Sequence, residues 1–211
     1  MIGDSHVKML NSIEAQQTDG EIVFHMVTGA SFTAYSLGDH QDEILDWLAG
    51  IDKSCWVISL YGEIDCRYQI FYHHQVDNAS LDEVIERTVL RYLDFVQSLI
   101  SREYKMIVSS IMPTMRVGMY DGDPLLILPH GHGSSDETRR YIAEVFNAKL
   151  KFHCWKLGIP YLNLYPYLVD PVDGLTRADL ALSEQDWMHY RYIGDIATKV
   201  IKETLWERLC T

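Results

Sequence analysis

The strongest constraint in this chain is an alternation. Across 211 residues, five short β-type runs are each followed by a helical segment. Met1-Ile2 leads into Gly3-Asp4-Ser5 and a short helix over residues 6–13, with Val7, Leu10 and Ile13 on one side. Residues 21–27 (EIVFHMV) read as a strand ending at Thr28-Gly29, and residues 41–51 as an amphipathic helix carrying Ile44, Leu45 and Leu48. The clearest buried strand is 55–61 (CWVISLY), a continuous apolar run closed by Gly62. A loop with Asp65, Arg67, His73 and His74 is expected next. Ser80 then caps a long helix, with Glu83 completing a capping box and Leu81, Val84, Ile85, Val89, Leu93, Val96 and Ile100 along its stripe. Residues 104–112 form another buried-type strand, stopped by Pro113. A long polar loop follows to Gly133, then a helix from about 135 to 157 stopped by Gly158. Residues 159–165 are a last short strand, 166–185 a loop and 190–209 the closing helix.

Strand and helix in strict turn predict one α/β domain over residues 1–211: a three-layer α/β/α arrangement around a parallel five-stranded sheet. Ligand sites in such folds lie at the carboxyl ends of the strands. Ser5, Gly29, the 62–67 segment, the 113–133 loop and the 166–189 loop all fall on that edge. Trp47, Trp56 and Trp155 are expected in the core.

Composition excludes more than it selects. A net charge of −12 without a basic run argues against nucleic acid. No apolar run is long enough to span a bilayer, and the N-terminus lacks the pattern of a secretory signal. Cys55, Cys66, Cys154 and Cys210 are scattered, which suits free thiols in a cytoplasmic protein. His73-His74 and His130-Gly131-His132 lack a second ligand motif, so loops lining solvent or substrate are the better reading, and no metal or cofactor is implied.

The residues with chemistry in them are far apart in sequence. Ser5 follows a short apolar start and opens a helix; Asp186 and His189, three residues apart, precede another. Serine, histidine and aspartate are the parts of a nucleophilic triad: a hydroxyl that needs a base, the base, and a carboxylate that orients it. Each could instead be a helix cap or a surface residue.

Taken together, these blocks resemble the SGNH hydrolases, also called GDSL-type esterases and lipases. Gly3-Asp4-Ser5 matches the nucleophile block, with His6 where the motif has leucine. Gly29 matches the glycine after the second strand, Gly62-Glu63-Ile64-Asp65 partly matches Gly-x-Asn-Asp, and Asp186 and His189 match the final Asp-x-x-His. The resemblance implies a flavodoxin-like sheet and an ester hydrolase with Ser5 as nucleophile, His189 as base and Asp186 as its partner. It assigns the oxyanion to the backbone N–H groups of Ser5 and Gly29 and to an asparagine side chain. Asp4, Gly62, Glu63 and Asp65 are then expected to border a small-molecule acyl ester, an acetylated carbohydrate fitting the polar loops.

Two departures stand out. Ile64 occupies the asparagine position and cannot donate a hydrogen bond. Arg67 is the candidate replacement, held by Glu63 and Asp65, or else a solvated loop residue. Only Met1 and Ile2 precede Gly3, a short strand for a parallel sheet, so either the strand is abbreviated or the true start of the protein lies upstream. A sugar O-acyltransferase using the same serine, and a catalytically weakened binding module, are the alternatives.

Overall fold

The computed structural model describes residues 1–10, 32–114, 134–180 and 193–205, with the backbone alone at Ser5, His6 and Lys8. Within these residues the sheet has four parallel strands in sequence order: β1 (Ile2–Gly3), β2 (Trp56–Leu60), β3 (Lys105–Ser109) and β4 (Tyr161–Leu162). The run at 21–27, expected as a further strand, lies outside the described residues. β2 and β3 share four register pairs, Trp56 with Lys105 through Ser59 with Val108. β1 contributes only two, Ile2 with Ser59 and Gly3 with Leu60. These two residues are the whole of β1 among the described residues.

Both faces of the sheet are covered, which is why its strands read as unbroken apolar runs. Alternate residues go to opposite sides. Ile2, Val57, Tyr61, Met106 and Val108 enter one core with α1 (Gln41–Leu48), α2 (Ile70–Val76), α3 (Leu81–Ile100) and α4 (Asp136–Leu157). Met1, Ile58, Leu60, Ile107 and Leu162 enter the other, against the 3-10 helix Ser5–Leu10, α5 (Tyr165–Leu168) and α6 (Gly194–Thr204). The result is the expected three-layer α/β/α sandwich.

The helix signals hold to the residue where capping chemistry sets them. Ser80 accepts from the Glu83 N–H while the Glu83 carboxylate accepts from the Ser80 N–H, closing the box that starts α3. Ser135 caps α4 by accepting from the Thr138 N–H at 3.2 Å, and Gly158, at φ +70°, ends it. There the Ile159 N–H reaches Cys154 O at 2.9 Å and the Gly158 N–H reaches Trp155 O at 3.2 Å, a left-handed stop that suits glycine.

Three expectations are corrected. The segment after Gly62 is helical, with a π-helical stretch Asp65–Gln69 running into α2. Its buried face includes Asp65 as well as Cys66 and Ile70, so the apolar period is interrupted. His73 and His74 accordingly sit on a helix. The 166–185 loop holds most of α5, with Pro166 in its first turn, and a 3-10 turn Ala178–Leu180, both too short to show a period. Trp155 is 77 % exposed, whereas Trp47 and Trp56 are half-buried against the two cores.

Polar side chains fasten the strand ends. The Ser110 Oγ accepts from both the Leu164 and Tyr165 N–H groups, at 2.9 and 3.1 Å. Asn147 of α4 accepts from the Ile111 N–H at 2.9 Å. These bonds satisfy backbone groups beyond the reach of the ladder, which would be costly to bury alone.

Candidate active site

The carboxyl end of β1 is built with almost no tolerance. A Cβ on Gly3 would lie well inside contact distance of the Leu60 carbonyl and the Val7 side chain, so only glycine lets β1 approach β2 here. The Asp4 N–H then donates to Leu60 O at 3.1 Å, carrying the pairing one residue past the strand. Asp4 is fully buried, and its carbonyl accepts from the Val7 N–H at 3.2 Å, turning the chain into the 3-10 helix that begins at Ser5. The backbone of Ser5 thus stands on the edge where the topology puts ligands.

Beside it, two residues past the end of β2, lies Gly62 at φ +119°. A side chain there would be strained and would press within 2.8 Å of the Phe146 ring. Glu63 follows, 6 % exposed, and its carboxylate meets the Arg67 guanidinium at 3.2 Å. Arg67 also lies over the Tyr68 ring, 4.8 Å from its centroid. Both side chains of the pair are nearly buried, at 12 and 8 % exposure, so removing one partner would leave a poorly solvated charge. Ile64 is half-buried at the head of this turn and offers no donor.

Asp65 goes elsewhere. Its carboxylate accepts from the Ala34 N–H at 2.6 Å and the Tyr35 N–H at 3.1 Å, binding the start of the 3-10 helix Ala34–His40. It is fully buried, and burial raises its pKa to about 7; the two amides oppose the rise and nearby Asp4 adds to it. Expected to border substrate and to steady Arg67, Asp65 instead fixes the loop before α1.

One residue of this edge was not singled out from sequence. Arg139, in the first turns of α4, is 4 % exposed, pairs with Asp136 and donates to Ser134 O at 3.2 Å. Burial holds its guanidinium below the ordinary range; the Asp136 carboxylate opposes this, and the charge of Arg67 adds to it. The π-helical segment packs against α4, bringing the two guanidiniums into one neighbourhood. In sequence Arg139 looks like one more polar residue of a helix start.

Gly29, Asp186 and His189 lie outside the described residues, as does the side chain of Ser5. The nearest described point to the Asp-x-x-His block is Ile193, whose N–H donates to Met9 O at 2.9 Å. The chain leaving that block is therefore hydrogen-bonded to the helix that begins at Ser5. Cys55, Cys66 and Cys154 are free thiols, and no helix of the described residues is long and apolar enough to cross a membrane.

Solved structures of an acylhydrolase and a GDSL-like lipase share this architecture. The chain superimposes along 98 % of its length on a Bacteroides fragilis structure designated an acylhydrolase, with a TM-score of 0.61, 16 % identity and 85 % of that chain covered. A GDSL-like lipase from Bacteroides thetaiotaomicron matches at TM-score 0.61 and 14 % identity, with 98 and 86 % of the two chains covered. The OSK domain of Drosophila Oskar also shares the fold, at TM-score 0.56 and 11 % identity, over 97 and 86 % of the chains. No protein-family model and no curated protein matches the sequence. Identities this low establish the shared architecture and leave the chemistry to the residues of the site.

Proposed function

We propose that this protein is a serine hydrolase acting on ester bonds, removing an acetyl or similarly small acyl group from a carbohydrate-like or other small alcohol. Ser5 attacks the carbonyl, His189 accepts its proton and returns it to the leaving alcohol, and Asp186 orients the imidazole. Water then releases the acyl group from Ser5. The oxyanion is met by the N–H groups of Ser5 and Gly29, with Arg67 supplying the third donor. Gly62 lets the chain turn tightly against Phe146 and Ile111, and Glu63 steadies Arg67 from behind.

The observation that carries this reading is the hydrogen bond between Ile193 and Met9. Met9 is four residues after Ser5, and Ile193 four residues after His189. Four extended residues reach at most about 14 Å, a tether short enough at each side to support a meeting of Ser5 and His189. The test is Ser5→Ala, assayed on a chromogenic acetyl ester and by fluorophosphonate labelling. Turnover and labelling should both vanish, and undiminished turnover sinks the triad.

Ile64 supports a second reading, a ligand-binding module with weakened catalysis. An oxyanion donor is worth about 2.7–4 kcal/mol, so its loss without replacement slows turnover by roughly a hundred- to a thousandfold. Wild-type protein that binds acetylated sugars but resists the probe would favour this alternative.

A further inference from the structure

The first amides of a helix have no partners within it. At the 3-10 helix Ala34–His40 they are shared between two sources. Thr33 Oγ1 accepts from the Ser36 N–H at 3.1 Å, and Ser36 Oγ accepts from the Thr33 N–H at 3.3 Å. The two amides between them, of Ala34 and Tyr35, go to Asp65, 31 and 30 residues away in sequence. Ala34 is fully buried, so solvent cannot serve its amide. The carboxyl that does so is itself fully buried, with the charge of Asp4 nearby, and both conditions disfavour its ionised form. A fold that keeps a carboxylate in so unfavourable a place specifies that connection closely.

The same segment has a second anchor. The Phe32 ring lies parallel to that of His40, with centroids 3.9 Å apart, and is stacked 5.8 Å from that of Trp47 in α1. Residues 32–35 are therefore held by aromatic stacking at one end and by Asp65 at the other. Only Asp65 ties them to the carboxyl end of β2. Two residues further along the same π-helical stretch stands Arg67, fixed by Glu63 at 3.2 Å. One short turn thus sets the spacing between Arg67 and the chain at Ala34. Gly29 is three residues before Phe32 in sequence, a span of at most about 11 Å of extended chain.

The geometry points to Asp65 as a positioning residue for the oxyanion donors: its carboxylate clamps the Ala34 and Tyr35 amides to the turn that carries Arg67, so that the two sides of the site keep one spacing. This role rests on the ester-hydrolase reading. Fully buried, Asp65 acts through Arg67 and the chain before Ala34. Oxyanion donors work by being fixed in advance, and a displacement of about 1 Å at a site can cost about a hundredfold in rate.

Asp65→Ala and Asp65→Asn test this at pH 8 on a chromogenic acetyl ester, with turnover divided by the active sites titrated to completion with a fluorophosphonate. Titration counts only folded, reactive sites, so lost stability alone leaves kcat per site unchanged. Asp65→Ala should lower kcat per site about a hundredfold, and Asp65→Asn, which still accepts from one amide, about tenfold, with KM within about threefold of native. Phe32→Ala, which leaves the buried amides paired, should also lower kcat about tenfold. Hydrogen exchange needs no turnover: the Ala34 and Tyr35 amides should exchange faster in Asp65→Asn, while those of β3 keep their native protection. Native kcat per site in Asp65→Ala overturns the proposal, as does an effect confined to KM or unchanged exchange at Ala34 and Tyr35. A Ser5→Ala variant as active as native protein sinks the ester-hydrolase reading instead, and this role with it.

Discussion

Replacing Asp65 by Asn tests how the fold holds a buried carboxyl, and the expected answer has a sign. Two effects compete at this residue. The Ala34 and Tyr35 amides favour the carboxylate, while removal from water favours the neutral acid, and burial wins, raising the pKa from the ordinary 3.8 to about 7. A carboxyl whose pKa is higher folded than unfolded binds more protons in the native state. Its contribution to stability is complete below about 3.8 and is lost as pH rises through about 7. The whole interval converts to about 4 kcal/mol, of which about 2–3 kcal/mol falls between roughly pH 5 and pH 8. Asn has the size of the acid and does not titrate, but it can accept from only one of the two amides. Urea unfolding of both proteins, followed by tryptophan fluorescence across that range, isolates the residue because all other titrations are shared. From pH 5 to pH 8 the stability of Asp65→Asn relative to the native protein should rise by about 2–3 kcal/mol, starting from a deficit at pH 5 because the Asn Nδ2 cannot accept from one of the two backbone amides. A flat difference, or a native protein that gains on the variant as pH rises, would refute the reasoning and show that the amides dominate.

Other expectations concern the site and its supports. Arg67→Met combined with Glu63→Gln removes both charges of the buried pair, and should lower kcat about a hundredfold with KM little changed if Arg67 is the oxyanion donor. Unchanged kcat would dismiss that role. Ile64→Asn in that double variant should recover much of the lost kcat, measured on the same chromogenic ester. Gly3→Ala should cost about 3 kcal/mol or more, because the added Cβ meets the Leu60 carbonyl, which cannot step aside; a urea midpoint close to native would count against the packing described. Asn147→Leu should cost about 1–3 kcal/mol by leaving the Ile111 N–H unsatisfied, read in the same unfolding assay.

The layers of the fold were legible because burial on both faces writes itself into sequence. The run at Trp56–Leu60 has nowhere polar to point except Ser59, whose hydroxyl meets that of Tyr92 at 2.9 Å. Caps were legible for a similar reason: Ser80, Glu83, Ser135 and Gly158 act within one turn of their own position. What sequence concealed was polar chemistry turned inward. Asp65 and Arg139 resemble solvated residues until the fold shows one collecting backbone amides and the other buried beside a second guanidinium. The helix through Asp65–Gln69 was hidden because such inward charges break the apolar period. Trp155 erred in the opposite direction, since tryptophan is so often interior that an exposed one is visible only in three dimensions.

The two-residue β1 has a consequence for how this protein fails. A segment held by so short a ladder can open while the longer Trp56–Leu60 and Lys105–Ser109 pairing remains intact. Mild denaturant or warmth should then silence the Ser5 end first, leaving the bulk of the secondary structure in place. By the same linkage, a compound occupying the site stabilises the closed form of that segment. Protection of the first ten amides from hydrogen exchange becomes a way to find ligands before any reaction is known.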